Sequence, residues 1–526
     1  MFSKKVREQI VDSMSATQRT PCRLLEADWL SDPLTVDVAD AGDFGPAITG
    51  ASVQRSRGCA LEVRLSGKVE PLSYEPPPEE AKKGGQRTPR KHLRGRSRHE
   101  DDAHALEVEV VLSGLIESKT RMTGAGDLTV DAMAKALDVS VTHASPAPES
   151  WLVEWLINFD AVAGILPLRT ERFAGSTFER VRGEQRLVLP VATPWRRQTS
   201  NDHFRIDVTL GGKMWKLTIG RPESGRCPTE LKPGFVEFRG EAGLPNESVR
   251  ETILVALSFA LGRHLIPIGW TVFDAADRPT RAACREAEIL GRDEMFSNPS
   301  MPPCPPVLRD APAILDQVAV QRVVQCALDL GAQGIDLGFP LWLVWLAKAS
   351  PLDASAAHYG AAMEALRSRF YATAAGGTTT LLVGADWGTV RTALDRTLTD
   401  AIAKLNPTPD EAAVCMLRNN LGGINNKSSG ARYPEFFQLL DLPIDKVEQA
   451  ALRERNKPAH GTEYDPAQYE ALMATVQALH TLFNRIVLKL ARCDLPYIDY
   501  STYEHPVRAL AEPLGGPNGD RQAAKV

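Results

Sequence analysis

The chain has 526 residues, and at about 100–200 residues per domain it is too long for one simple core, so two or three domains are expected. Apolar residues at 43% and charged residues at 24% are ordinary globular values and exclude a mostly disordered chain. The 61 Lys/Arg against 66 Asp/Glu leave a net charge of −5, which argues against a histone-like polyanion binder and leaves local sites open.

The opening stretch, MFSKKVREQIVDSM, is charged throughout, and no signal peptide is expected. The most apolar run, Leu337–Ala347 (LGFPLWLVWLA), falls short of the roughly 18 residues needed to span a bilayer. The 8 cysteines are scattered with no C-x-x-C, so neither a disulfide scaffold nor a structural zinc site is expected. These features together predict a cytoplasmic protein with no membrane partner.

The first half reads as β-rich. Leu61, Val63 and Leu65 alternate with Glu62, Arg64 and Ser66. Leu106, Val108 and Val110 do the same, as do Phe204, Ile206, Val208 and Leu210. Period-2 patterns fit strands with one buried face. Gly211-Gly212 joins the last strand to Trp215, Leu217 and Ile219 as a hairpin, and the set predicts a sandwich or open barrel. Residues 75–102 carry Pro76-Pro77-Pro78 and then Lys82, Lys83, Arg87, Arg90, Lys91, Arg94, Arg96 and Arg98. With so little apolar surface the segment reads as a disordered basic loop, a solvated insertion rather than a nucleic-acid arm.

The period changes at Val249, Ile253, Leu254, Leu257 and Leu261, which mark a helix. Ser297–Pro306 holds five prolines in ten residues and reads as a stiff linker. Beyond it, Asp310 is expected to cap a helix with Pro312 in its first turn, followed by Val320, Val323, Val324, Ala327 and Leu328. Further helices carry Ala362, Met363, Leu366 and Phe370, then Val390, Leu394, Leu398 and Ile402. The longest runs over about 465–492, with Leu472, Val476, Leu479, Phe483 and Ile486 on one stripe. The expected organisation is an α+β multidomain chain. A β-rich domain spans 1–296, a linker 297–311, an all-α antiparallel bundle 312–511, and a disordered tail 512–526.

Gly220–Cys227 (GRPESGRC) lacks the Lys and the hydroxyl of a phosphate-binding loop, which removes an NTPase reading. There is no G-x-S-x-G and no H-E-x-x-H. Glu230-Leu231-Lys232 after Asp207 partly matches the acid-and-Lys arrangement of metal-dependent nucleases, but Pro228 and Pro233 place it in a loop.

Leu452–Gly461 (LRERNKPAHG) stands out, because it holds Arg455, Asn456 and His460 before the long last helix. Pro458 breaks a continuous helix. At helical spacing the two ends would point about 140° apart, whereas a turn brings both to one surface. The pair suits RNA cleavage. A ribose 2′-OH must lose a proton as it attacks phosphorus, and a His titrating near neutrality can take it. A forked, always-charged Arg can hold the phosphate oxygens as charge grows. One His cannot easily serve both sides of the phosphorus, and a symmetric dimer would supply two. The competing reading is that both residues only satisfy carbonyls at a helix corner.

Arg455–His460 before the last long helix of an all-α bundle resembles the R-x4-6-H motif of HEPN domains (higher eukaryotes and prokaryotes nucleotide-binding). Ala362–Leu366 (AMEAL) resembles the opening HEPN helix. Gly423–Leu440 (GINNKSSGARYPEFFQLL) and Leu488–Ser501 (LKLARCDLPYIDYS) resemble segments of bacterial abortive-infection proteins. Trp151–Phe159 (WLVEWLINF) and Leu257–Arg263 (LSFALGR) resemble the N-terminal region of ApeA-like phage-defence proteins. The resemblance implies a dimeric endoribonuclease that needs no metal or cofactor, leaves a 2′,3′-cyclic phosphate and halts growth of an infected cell. It implies catalytic roles for Arg455 and His460. Asn456 would orient the site, and Lys457 would contact the RNA backbone. A phage-derived trigger would act on the β-rich half. Some HEPN domains are inactive dimerisation or nucleotide-binding modules, and an adaptor of that kind is the alternative.

Overall fold

The structure is a computed structural model that describes residues 34–41, 44, 47–55, 60–68, 90–97, 105–122, 127–143, 145–159, 172–174, 177–182, 185–190, 203–220, 232–239, 243–275, 278–287, 299–308, 311–373, 378–407, 409–455 and 468–519. It combines a large antiparallel β-sheet with a helical C-terminal part. Two compact units divide the chain, 1–328 and 329–526.

The first unit begins with β1 (Leu34–Asp40), β2 (Ile48–Arg55), β3 (Leu61–Lys68), β4 (Arg90–Ser97), β5 (Ala105–Met122), β6 (Asp127–Ala134), β7 (Ala136–His143) and β8 (Glu149–Ile157). A small separate sheet holds β9 (Arg172–Ala174), β10 (Thr177–Arg182) and β11 (Gln185–Pro190). Then come β12 (His203–Leu210), β13 (Lys213–Gly220), β14 (Gly234–Arg239), α1 (Glu247–Leu261), β15 (Ile266–Asp274) and β16 (Pro279–Arg285). The main sheet has 13 strands in the order β12-β13-β14-β8-β15-β16-β7-β5-β4-β1-β2-β3-β6.

Because β5 also pairs with β6, the run β5-β4-β1-β2-β3-β6 closes on itself as a six-stranded ring. Its interior is the alternating set read from the sequence: Leu61, Val63 and Leu65 with Val36, Val53, Leu93, Val110, Leu112 and Val130, all buried. The first half of β5 pairs with β7 and its last half with β6. Gly114 sits at the switch with φ +65, where a Cβ would come within 2.8 Å of the Lys135 side chain. Only glycine takes that conformation and that contact without strain.

Part of the expected basic loop is folded. Arg90–Ser97 forms β4 between β1 and β5. Leu93 points inward with none of its surface exposed, and the missing side chain of Gly95 admits the Asp37 carbonyl. Composition hid a strand that needs only one apolar side chain. Residues 75–89 and 98–102 lie outside the described residues.

In α1, Asn246 accepts a hydrogen bond from Val249 N at 2.9 Å, and Gly262 closes the helix at φ +64. The proline-rich segment expected as a linker is packed where it is described: Pro302, Pro303 and Cys304 are buried, and Met301 N donates to Gly262 O at 3.1 Å. β17 (Val307–Leu308) pairs with β18 (Ala311–Leu315). The next helix, α2 (Gln317–Ala332), therefore does not start at Asp310. Its cap is Asp316, whose Oδ1 accepts from Val318 N at 3.1 Å and Ala319 N at 3.0 Å. Pro312 lies in a strand, which suits its lack of an N–H at a sheet margin.

α2 also covers an edge of the main sheet. β12 is the terminal strand, and its outward N–H groups at Arg205, Asp207 and Thr209 donate to the side-chain oxygens of Gln317, Gln321 and Gln325, at 3.2, 3.1 and 2.8 Å. Four helical residues rise about 6 Å. Two strand residues rise about 6.6 Å. The two repeats stay in step for three rungs, and an edge that would otherwise recruit another strand is occupied.

The second unit holds α3 (Gly338–Ala349), α4 (Leu352–Ala372), α5 (Gly384–Ile402), α6 (Glu411–Gly423), α7 (Ser429–Leu439), α8 (Lys446–Glu454), α9 (Tyr469–Leu490), β19 (Tyr497–Ile498) and β20 (Val507–Arg508). α4 packs on α3 and α9, and α8 packs on α9. Among the described residues α9 is the one helix long and apolar enough to cross a membrane, and 67% of its apolar window is buried inside the protein.

The first residues of the expected disordered tail are also fixed. Leu514 N donates to Glu448 Oε1 at 2.9 Å, and Gly515 N donates to Asp499 Oδ2 at 2.9 Å. Buried carboxylates far away in sequence supply these acceptors, which composition cannot show. Residues 520–526 lie outside the described residues.

Candidate active site

Arg455 ends α8. Its N–H donates to Ala451 O at 3.1 Å, continuing the helical pattern for one residue. The helix starts at Asp445 with a capping box, in which Glu448 Oε2 accepts from Asp445 N at 3.1 Å. Glu448 does more. It is fully buried and pairs with the equally buried Arg485 of α9, Nη1 to Oε1 at 2.6 Å. Arg485 Nη2 donates to Pro443 O at 3.1 Å and to Leu510 O at 3.3 Å. The start of α8 is thus bolted to α9, which sets where its far end delivers Arg455.

That end meets α4 and α7. The Arg455 guanidinium lies 4.2 Å from the centre of the Tyr433 ring, and the Arg367 guanidinium lies 4.3 Å from the same ring. Tyr433 O–H donates to Glu364 Oε2 at 3.2 Å, and the other Glu364 oxygen pairs with Arg367. Gly360, Glu364 and Arg367 follow at i, i+4 and i+7 on α4 and therefore share a face. A Cβ at Gly360 would come within 3.3 Å of Arg455 Cδ, so the absent side chain leaves the room that the arginine stem occupies.

Cation–π contact of this kind contributes about 0.5–2 kcal/mol and fixes the plane of the guanidinium. Burial pushes the Tyr433 phenol above its ordinary value, while the Arg455 charge pulls it partly back. The phenol stays neutral and donates to Glu364. Nη1 of Arg455 is buried and has no hydrogen-bond partner among the described residues. An arginine with a fixed plane and one uncommitted donor nitrogen is a ready ligand for a phosphate oxygen.

Asn456, Lys457 and His460 lie outside the described residues, so Arg455 is the one expected site residue with a described place. Glu364 and Tyr433 sat inside the quoted AMEAL and GARYPEFF phrases, yet nothing in the sequence joined them to Arg455. A second histidine is present in the bundle core. His480 on α9 is buried, with Nδ1 3.2 Å from Tyr359 O–H and Nε2 3.2 Å from Asn484 Nδ2. Both its ring nitrogens are engaged, which is the pattern of a structural core histidine. Among the described residues no group of three or more His, Cys, Asp or Glu could hold a metal ion. Lys232 precedes β14 with φ +49, and Glu230 lies outside the described residues.

No protein-family model matches the chain, and comparison with curated proteins and with solved structures gives no match either.

Proposed function

We propose that the chain is an endoribonuclease of the HEPN type that acts in the cytoplasm as an abortive-infection toxin. Its N-terminal β unit senses a phage-derived trigger, and its helical unit cuts RNA as a homodimer or higher homo-oligomer. What carries the reading is the seat of Arg455. The guanidinium is held 4.2 Å from the centre of the Tyr433 ring, has one buried nitrogen with no hydrogen-bond partner among the described residues, and immediately precedes the segment with Asn456, Lys457 and His460.

The chemistry follows from the residue types. His460 takes the proton from the attacking 2′-OH or returns one to the leaving 5′ oxygen, and the second copy of the turn in a dimer supplies the complementary role. Arg455 stabilises the negative charge that grows on the phosphate oxygens. Asn456 orients the turn, and Lys457 contacts the backbone of the RNA.

The test is cleavage of total RNA by purified wild type and His460→Ala in EDTA. Wild type should produce fragments ending in 2′,3′-cyclic phosphate, and His460→Ala should leave RNA intact. Equal cleavage by both would sink the assignment. Intact RNA with a stable gel shift for wild type would replace the enzyme with a binding module.

A further inference from the structure

α5 and α6 form a hairpin on a fixed neck. Leu381 N donates to Asn425 O at 2.8 Å, and Lys427 N donates to Thr379 O at 3.0 Å. The buried Asn425 side chain accepts from Leu382 N and donates to Leu382 O, both at 2.8 Å. Beyond this clamp the hairpin is bare, and neither helix has a buried residue. Leu381, Val383, Val390, Met416, Leu417 and Ile424 are 63%, 59%, 39%, 65%, 42% and 55% exposed. Two helices that no described residue covers are marginal in water, and exposed apolar surface of this extent marks a docking face.

The sequence of α5 says what covers it. The half-covered residues Trp387, Leu394, Asp395, Leu398 and Ile402 lie on one side of the helix. Asp386, Val390, Ala393, Thr397 and Ala401 are exposed and at 100° per residue share an adjoining face about 80° wide, and the exposed Lys404 follows in the turn just past the end of the helix. Read from either end this open face is nearly the same: a charge, an apolar residue, and a small residue beside the centre. The charges are opposite at its two ends. A helix of this kind is complementary to itself when antiparallel. Small central residues let the axes approach, and each terminal charge meets its opposite. Within one chain Asp386 and Lys404 stand about 27 Å apart along the helix and cannot pair. Neither makes an ion pair among the described residues.

We infer that the α5–α6 hairpin docks on the same hairpin of a second copy of this chain, with α5 antiparallel to its twin and Asp386 beside the partner's Lys404. The contact is isologous, so the ion pair occurs twice. The inference names a surface at which two copies meet, and it stands whether or not the protein cuts RNA.

Charge reversal in the full-length protein tests it. Asp386→Lys alone and Lys404→Asp alone each place like charges together twice, and each should weaken self-association in sedimentation by about tenfold or more. The double variant should return to within about threefold of wild type. Mixing the two single variants, differently tagged, should give a mixed dimer as tight as wild type, which also shows that each single variant is folded. Wild type that stays monomeric into the tens of micromolar overturns the inference. So does a dimer indifferent to both reversals, or failure of the double variant and the mixture to recover; these two outcomes leave RNA cleavage untouched as a reading, whereas a monomeric wild type would also count against cleavage as a homodimer.

Discussion

The Arg455 guanidinium rests 4.2 Å from the Tyr433 ring centre, and Arg367 faces the same ring at 4.3 Å. A tyrosine between two cations orders them without neutralising either. Glu364, bonded to both Tyr433 and Arg367, balances one of the two charges and leaves Arg455 the freer.

If that seat positions Arg455, removing the ring should cost activity. Tyr433→Phe keeps the stacking surface and loses one hydrogen bond, about 1 kcal/mol of stability, with RNA cleavage within a few-fold of wild type. Tyr433→Ala frees the guanidinium, and single-turnover cleavage should fall roughly tenfold, as loss of 1–2 kcal/mol of cation–π ordering requires. Arg455→Ala should lose about 3 kcal/mol of transition-state stabilisation, near a hundredfold in rate. Equal rates for Tyr433→Phe and Tyr433→Ala would remove the positioning role.

The buried pair Glu448–Arg485 makes a different prediction. Removing one partner leaves a charge without compensation in the core, at about 3–5 kcal/mol. Glu448→Gln should therefore lower the unfolding midpoint of the helical unit sharply. The tail should loosen with it, because Leu514 N shares the Glu448 oxygen. Hydrogen exchange at Leu514 and Gly515 reports this directly; unchanged protection would mean that the tail is held by Asp499 alone.

Local pattern made much of the fold legible. Leu61, Val63 and Leu65 announce a strand, and the Leu472–Leu490 stripe announces a helix, because period alone carries the message. What stayed hidden depends on partners distant in the chain. β4 is a strand because β1 and β5 flank it, although it offers only Leu93 to the core. The α2 cap moved from Asp310 to Asp316 because 311–315 pairs with β17. Arg455 could be singled out by its neighbours in sequence. Tyr433 and Glu364 could not, since their bond spans 69 positions and no periodicity encodes it.

Two buried groups in the first unit should oppose each other across the acid range. Burial pushes the Glu154 carboxyl from 4.5 up to about 7, with Arg250 at 2.6 Å pulling it back part of the way. The native state then binds more protons than the unfolded chain between those values, so this group's contribution to stability falls as pH rises from 4.5 to 7. Burial pushes His264 from 6.5 down to about 4, so its contribution falls as pH drops from 6.5 to 4. Each effect is on the order of 3 kcal/mol. Glu154→Gln should unmask the histidine, giving a protein that loses stability on acidification from pH 6.5 to 5 more steeply than wild type. His264→Gln should do the reverse. Thermal midpoints followed by tryptophan fluorescence decide it, and a Glu154→Gln profile parallel to wild type would remove Glu154 from the account.

The glutamine ladder on β12 yields the last prediction. Gln317, Gln321 and Gln325 satisfy three edge N–H groups, and Gln325 Nε2 also donates to Thr209 O at 3.0 Å. Gln321→Leu removes the middle rung only. It should cost about 1 kcal/mol and raise exchange at the Asp207 amide. The other two rungs still hold α2 in place, so neighbouring amides should change little. Replacing all three by Leu leaves the helix stripe intact but strips the edge of its side-chain acceptors. An open terminal strand pairs with other chains. The triple variant should aggregate in a concentration-dependent way, at temperatures where its far-UV circular dichroism still matches wild type. A triple variant as soluble as wild type would show that packing of α2 alone, not its amides, closes the edge.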